Sequence, residues 1–248
     1  MKRIRMIGAV LVAMFALGAL AATGASANTP EFLGPGGAVG ATEHLKWLAL
    51  SLAGSAVLLS STRATVVCGH LHAQGTFLSN GLALAELHFL ECKVQQGGTA
   101  FPNCTVESKG AGVAGLILVH VHVRLVYTGS EKQAEKNEGP VGDLFSPETG
   151  STFVTLAFAG TCPSGVPGET AVTGSVIGNA EPGANTMVVE GLNNFPESAV
   201  KKGYVNEGGT TTKEYKASLK IFGTEVATQI SPHIHVFLES EESWGILS

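Results

Sequence analysis

The clearest hydrophobic pattern in the chain runs over residues 113–127, VAGLILVHVHVRLVY. Ile117, Val119, Val121, Val123 and Leu125 fall on one side of a two-residue period, and His120, His122 and Arg124 on the other. β-Branched residues at period two predict a strand with one face in a core. The same alternation runs over 82–94, with Ala83, Ala85, Leu87 and Phe89 on one face and Glu86 and His88 on the other. Residues 64–78 read as a preceding strand, bent at Gly69 or Gly75, and Asn80-Gly81 between the two is a hairpin turn signal. Short apolar runs at 44–50 and 55–61, split by Gly54, read as another hairpin, although the Leu- and Ala-rich first run leaves a helix open.

Further strands are expected over 152–160, 170–177, 185–192, 213–222, 224–230 and 233–238, with Gly223 and Pro232 as breaks. Residues 129–140 and 201–212 are polar and unpatterned and read as exposed loops, with 95–103 as a third long loop. Residues 28–41 are a Pro/Gly stretch that reads as a linker, and 239–248 read as a frayed acidic tail. The expectation is a single domain over 42–238, all-β, an antiparallel sandwich or barrel of about ten to twelve strands.

The first residues change the picture. Lys2, Arg3 and Arg5 precede an apolar run from Met6 to Ala22, and Ala25-Ser26-Ala27 is a cleavage site of the A-x-A kind. Residues 1–27 therefore read as a signal peptide cleaved after Ala27, giving a secreted or cell-envelope protein with no stable membrane span afterwards. The formal net charge of −5 becomes −8 once the leader is removed. So acidic a chain excludes nucleic acid as a partner, because phosphate neutralisation needs a basic face. In an exported protein four cysteines are most simply two disulfides. Cys68, Cys92, Cys104 and Cys162 allow three pairings, of which Cys92–Cys104 with Cys68–Cys162 is preferred here as a local clasp and a long staple. A zinc site is disfavoured because no C-x2-C or C-x4-C spacing is present.

Catalytic motifs are scarce. Asp143 is the only aspartate among 20 acidic residues, which removes Asp-rich calcium loops and paired-aspartate proteases. Nucleophile-elbow, H-E-x-x-H and Walker patterns are missing. Glu86, Glu91, Glu107 and Glu190 are strand-placed acids that a hydrolase of envelope polymers could use as a facing pair. Histidine is the unexpected pattern: His70/His72, His120/His122 and His233/His235 form three His-x-His pairs, and His88 lies on a strand between the first two. Residues i and i+2 of a strand share a face, so each pair could offer two imidazoles to zinc or copper if neighbouring strands carried them. The alternative is that they fill the polar side of amphipathic strands.

A leader followed by T-P-E-F-L, then V-V-C, F-L-E-C-K and N-C-T, F-x-G-x-C over 158–162 and V-x-G-S-V-I-G over 172–178 form an ordered set. In these features the chain resembles a family of uncharacterised exported proteins of Solirubrobacter- and Conexibacter-type actinobacteria, over residues 1–195. The resemblance implies export and the ordered cysteines, and it implies no activity or catalytic residue. The three His-x-His pairs stand outside its pattern. The functional expectation is an exported, non-catalytic β-domain with a binding or structural role at the cell envelope, its partner an envelope component or another protein. The alternatives are a transition-metal-binding protein built on the histidine pairs and an envelope-polymer hydrolase using glutamates.

Overall fold

A computed structural model describes residues 29–51, 57–180, 183–186, 189–191, 201–206, 212–225, 227–230 and 234–247. The leader and His233 lie outside the described residues. Within them the chain is all-β: 24 strands in four antiparallel sheets, with one helix of five residues. The strands are more numerous and shorter than the hydrophobic runs suggest, because several runs are cut where the chain passes from one sheet to the next. Residues 64–78 divide at Gly69 into Thr65–Cys68 and His70–Leu78, which belong to different sheets. Residues 82–94 divide at Glu91, which takes a positive φ of 56°, into Leu82–Leu90 and Lys93–Gln96.

The largest sheet has ten strands. Its main path runs Val176–Asn179, Val141–Pro147, Ile117–Tyr127, Leu82–Leu90, His70–Leu78, Leu45–Ser51, Ile234–Leu238 and Val189–Gly191. The alternation read from the sequence sets its two faces. Val119, Val121, Val123 and Leu125 are buried on the inside, while His120 and His122 are exposed outside. The turn at Asn80-Gly81 is the hairpin expected, with φ of 59° and 64°, the two positive values of a type I′ turn that match strand twist. Leu45–Ser51 is a strand and not a helix, but it does not pair with the 55–61 run. It lies between His70–Leu78 and Ile234–Leu238, whereas Val57–Ser60 pairs with Thr65–Cys68 in another sheet. The hairpin reading fails because both runs find longer partners elsewhere.

Three smaller sheets close over the inside of this one. One contains Cys104–Ser108, Thr152–Gly160 and Glu169–Gly174, and a second contains Val57–Ser60, Thr65–Cys68 and Lys93–Gln96. The third pairs Trp244–Leu247 with Glu31–Gly34. One core joins all four, with Phe32, Val66, Leu71, Leu156 and Trp244 among its buried members.

That third sheet corrects the linker and tail. Phe32 is 3% exposed and Trp244 3%. Residues 31–34 and 244–247 are paired strands that each bring an apolar side chain, Phe32 and Trp244, onto Phe77 in the common core. The 201–212 loop is also corrected: Lys201–Asn206 is a strand paired with Thr212–Ala217. This hairpin buries Val205 and Ala217 against Val126, Leu144 and Ile177 on the outside of the main sheet. The 129–140 loop carries the helix Glu131–Glu135, started by Ser130 and Gln133 in a reciprocal capping box.

The disulfides join Cys68 to Cys92 and Cys104 to Cys162, so the preferred pairing of Cys92 with Cys104 is corrected. Sheet register decides it. Val67 pairs with Lys93, which sets Cys68 beside Cys92 at a Cα separation of 3.9 Å. Cys104 pairs with Gly160, two residues from Cys162, at 4.6 Å. On a chain-entropy estimate the closed loops contribute about 3.5 and about 4 kcal/mol.

Candidate ligand cavity

The inner face of the main sheet and the smaller sheets do not meet tightly. Between them lies a cavity of about 200 Å³. An apolar cavity of about 150 Å³ is enough to hold benzene, so this one accommodates a small ring system. Small side chains make the space: Ala49, Ala73 and Ala83 occupy inward positions on three of the central strands and line it. Leucine or phenylalanine there would fill the volume to the density of an ordinary core. An aromatic group forms part of the wall. Phe77 stacks on Phe32 with ring centroids 4.2 Å apart and lies 5.6 Å from Trp47 and 5.0 Å from Trp244. Gly75 permits this, since a Cβ there would meet Trp47 Cζ2 at 2.6 Å and the Leu84 carbonyl oxygen. Trp244 donates from Nε1 to the Val236 carbonyl at 3.0 Å. The Trp47 Nε1–H is buried with no hydrogen-bond acceptor among the described residues.

One carboxyl group stands in this wall. Asp143 lies on Val141–Pro147, whose alternation puts Val141, Asp143 and Phe145 on the inward side and Leu144 on the outward side against the second core. Leu125 and Gly178 are its pairing partners on either side. Among the described residues, no side chain donates a hydrogen bond to its carboxyl and no cation pairs with it. Asp143 is half-buried and lines the cavity. Burial pushes its pKa from 3.8 up to about 7. Desolvation alone does this: an ion without water or partner is disfavoured against the neutral acid.

The outer face of the same sheet holds the histidines. Register brings the first two pairs and His88 onto three neighbouring strands. His72 stands opposite His88, and His120 opposite Glu86. Glu86 accepts from His88 Nε2 at 2.7 Å and from Gln74 Nε2 at 3.2 Å. His88 first, then Gln74, holds the Glu86 carboxyl below the usual range. His70 approaches Glu91 at 3.9 Å, His122 is opposite Leu84, and His235 is opposite Leu50, three strands away from His88. Among the described residues, no three His, Cys, Asp or Glu side chains are grouped so as to hold one metal ion.

The glutamates expected to form a facing pair are dispersed. Glu86 is on the outer face, Glu91 in the turn that follows, Glu107 in another sheet and Glu190 at the sheet edge. A shallow polar groove on the outer face gathers Glu86 with Glu148 and Glu239 instead, beside His120 and Lys46. A glycosidic general acid needs a raised pKa, and Glu86 has the opposite shift. Compared with known proteins, the chain matches no family model, and no curated protein and no solved structure is significantly similar to it.

Proposed function

We propose that this is an exported binding protein that carries a small, largely apolar molecule inside its β-fold at the cell envelope. The observation that carries the reading is the cavity of about 200 Å³, walled by Ala49, Ala73, Phe77, Val119 and Trp47 and interrupted, among the described residues, by the carboxyl of Asp143. The unfilled volume beside Ala49, Ala73 and Ala83 supports this reading, since space left empty in a core costs stability that a bound molecule would recover. Concave, apolar sites with a few polar groups are the usual form of small-molecule sites. Two disulfides and the leader-like N-terminus support export, in a compartment where thiols oxidise.

The test is calorimetric titration of the purified chain with n-propylbenzene, a neutral probe sized to the cavity, with Ala73→Leu as the control. Saturable 1:1 binding is expected in the native chain, and at least a tenfold loss (about 1.4 kcal/mol) in Ala73→Leu, which fills the space. Absence of binding to the native chain, or unchanged binding by Ala73→Leu, overturns the reading. Amino-terminal sequencing of the protein recovered outside the cytoplasm tests export, with Asn28 expected first.

A further inference from the structure

Resting on that reading, we infer that the cavity selects apolar molecules bearing a basic nitrogen, with Asp143 as the residue that receives the ammonium group. The argument begins with what Asp143 lacks. A buried carboxyl is ordinarily held by two or three donors or by a cation. Asp143 has none among the described residues, although its backbone is fixed on both sides by strand pairing with Leu125 and Gly178. The side chain is therefore held in place by its strand and left for a partner the protein does not supply.

The surroundings say which partner. The described side chains lining the cavity carry no other charge. The Ile117–Tyr127 strand sets Leu125 opposite Asp143 and the buried Tyr127 beside Val141, and Tyr127, with Tyr204 paired to it, brings the titratable side chains of the described core on that side. Gly178 on the other side brings no side chain. A ligand carboxylate or phosphate would meet a like charge in a medium that screens poorly. A neutral hydrocarbon would leave the carboxyl as it is. A protonated amine supplies both the opposite charge and the missing donors, the arrangement that makes a buried charged hydrogen bond strong. Phe145, two residues along the same face and also lining the cavity, adds an aromatic ring beside the cation. Because burial holds the acid near neutrality, the selection has a pH sense. The amine is favoured where Asp143 is ionised, above about pH 7, and the preference fades as the carboxyl takes up its proton below that.

Three probes of one shape separate the possibilities: 2-phenylethylamine, n-propylbenzene and 3-phenylpropanoic acid. They are titrated into the native chain at pH 8.5 and pH 5.5, and into Asp143→Asn at pH 8.5. In the native chain at pH 8.5 the amine is expected to bind at least about tenfold tighter than propylbenzene, and the acid more weakly than either. At pH 5.5 the preference for the amine falls to within about threefold, as the carboxyl becomes neutral. Asp143→Asn keeps the affinity for propylbenzene and loses the preference. Equal binding of amine and propylbenzene by the native chain at pH 8.5 overturns the inference and leaves the cavity reading standing. A preference that survives in Asp143→Asn overturns it as well. Binding of none of the three overturns the cavity reading and this inference together. The native-chain series at two pH values needs no variant, so a poorly folding Asp143→Asn does not remove the test.

Discussion

Asp143 is the residue on which most of the chemistry turns. In the unfolded chain its carboxyl titrates at 3.8, and in the fold at about 7. Between those values the native state binds the proton that the unfolded state has released. Raising the pH through that window therefore destabilises the fold, and the penalty is complete above pH 7. At 1.36 kcal/mol per unit the ceiling is about 4 kcal/mol. Asp143→Asn removes the ionisation. The variant should match the native chain below pH 4 and gain on it from pH 4 to 7. Above pH 7 it should level off, more stable by up to about 4 kcal/mol, as read by urea unfolding across the pH range. A constant difference at all pH values would mean that folding leaves the carboxyl's pKa unshifted, and a gain by the native chain as the pH rises would mean that the carboxylate is paired. The clue to this residue was present in the sequence, where VGDLF places an acid on the same side of a period-two run as Val141 and Phe145. Composition drew attention to Asp143 only as the acid that excluded other chemistries. What made it a candidate was the face it shares, and that face is known to be a cavity wall only when the opposing sheets are in place.

At the level of strands and links, local rules worked where the signal is local. The alternation around Val121 and the Asn80-Gly81 turn need only the chain's own neighbours, and both are found as read. The two ends were misread because four-residue strands such as Glu31–Gly34 and Trp244–Leu247 carry too short a period to stand out beside Pro and Gly. Their evidence is each other, more than 200 positions apart in the chain. The consequence is that the end of the chain is structural. Trp244→Ala should cost about 3–5 kcal/mol, the usual range for a buried aromatic, measured by thermal or urea unfolding. A loss under about 1 kcal/mol would return the segment to a loose tail. The cysteines fail in the sequence for the same reason, since loop length favours Cys92–Cys104 and register overrules it. Peptide mapping without reduction should give Cys68 linked to Cys92 and Cys104 linked to Cys162. Recovery of a Cys92–Cys104 peptide would contradict the strand register of both five-stranded sheets.

The whole molecule is a curved ten-stranded sheet whose concave side is covered but not filled. Its convex side carries the histidines and a polar groove, and the strand order brings His72, His88 and His120 onto neighbouring strands, where the described residues form no group for a metal. The fold class followed from the number and period of the runs, because those count half-buried strands directly. The cavity did not, because its volume is the difference between two surfaces that no single stretch records. Alanines at positions 49, 73 and 83 read equally well as tight packing or as missing volume. The central claim is that this volume is accessible and holds a ligand. A crystal structure of the protein under xenon pressure tests it most directly, because xenon enters dry apolar cavities. The account predicts xenon inside the fold, in contact with Ala73, Phe77 and Val119, and its loss in Ala73→Leu. Side chains closed over that space with no xenon within it would contradict the account.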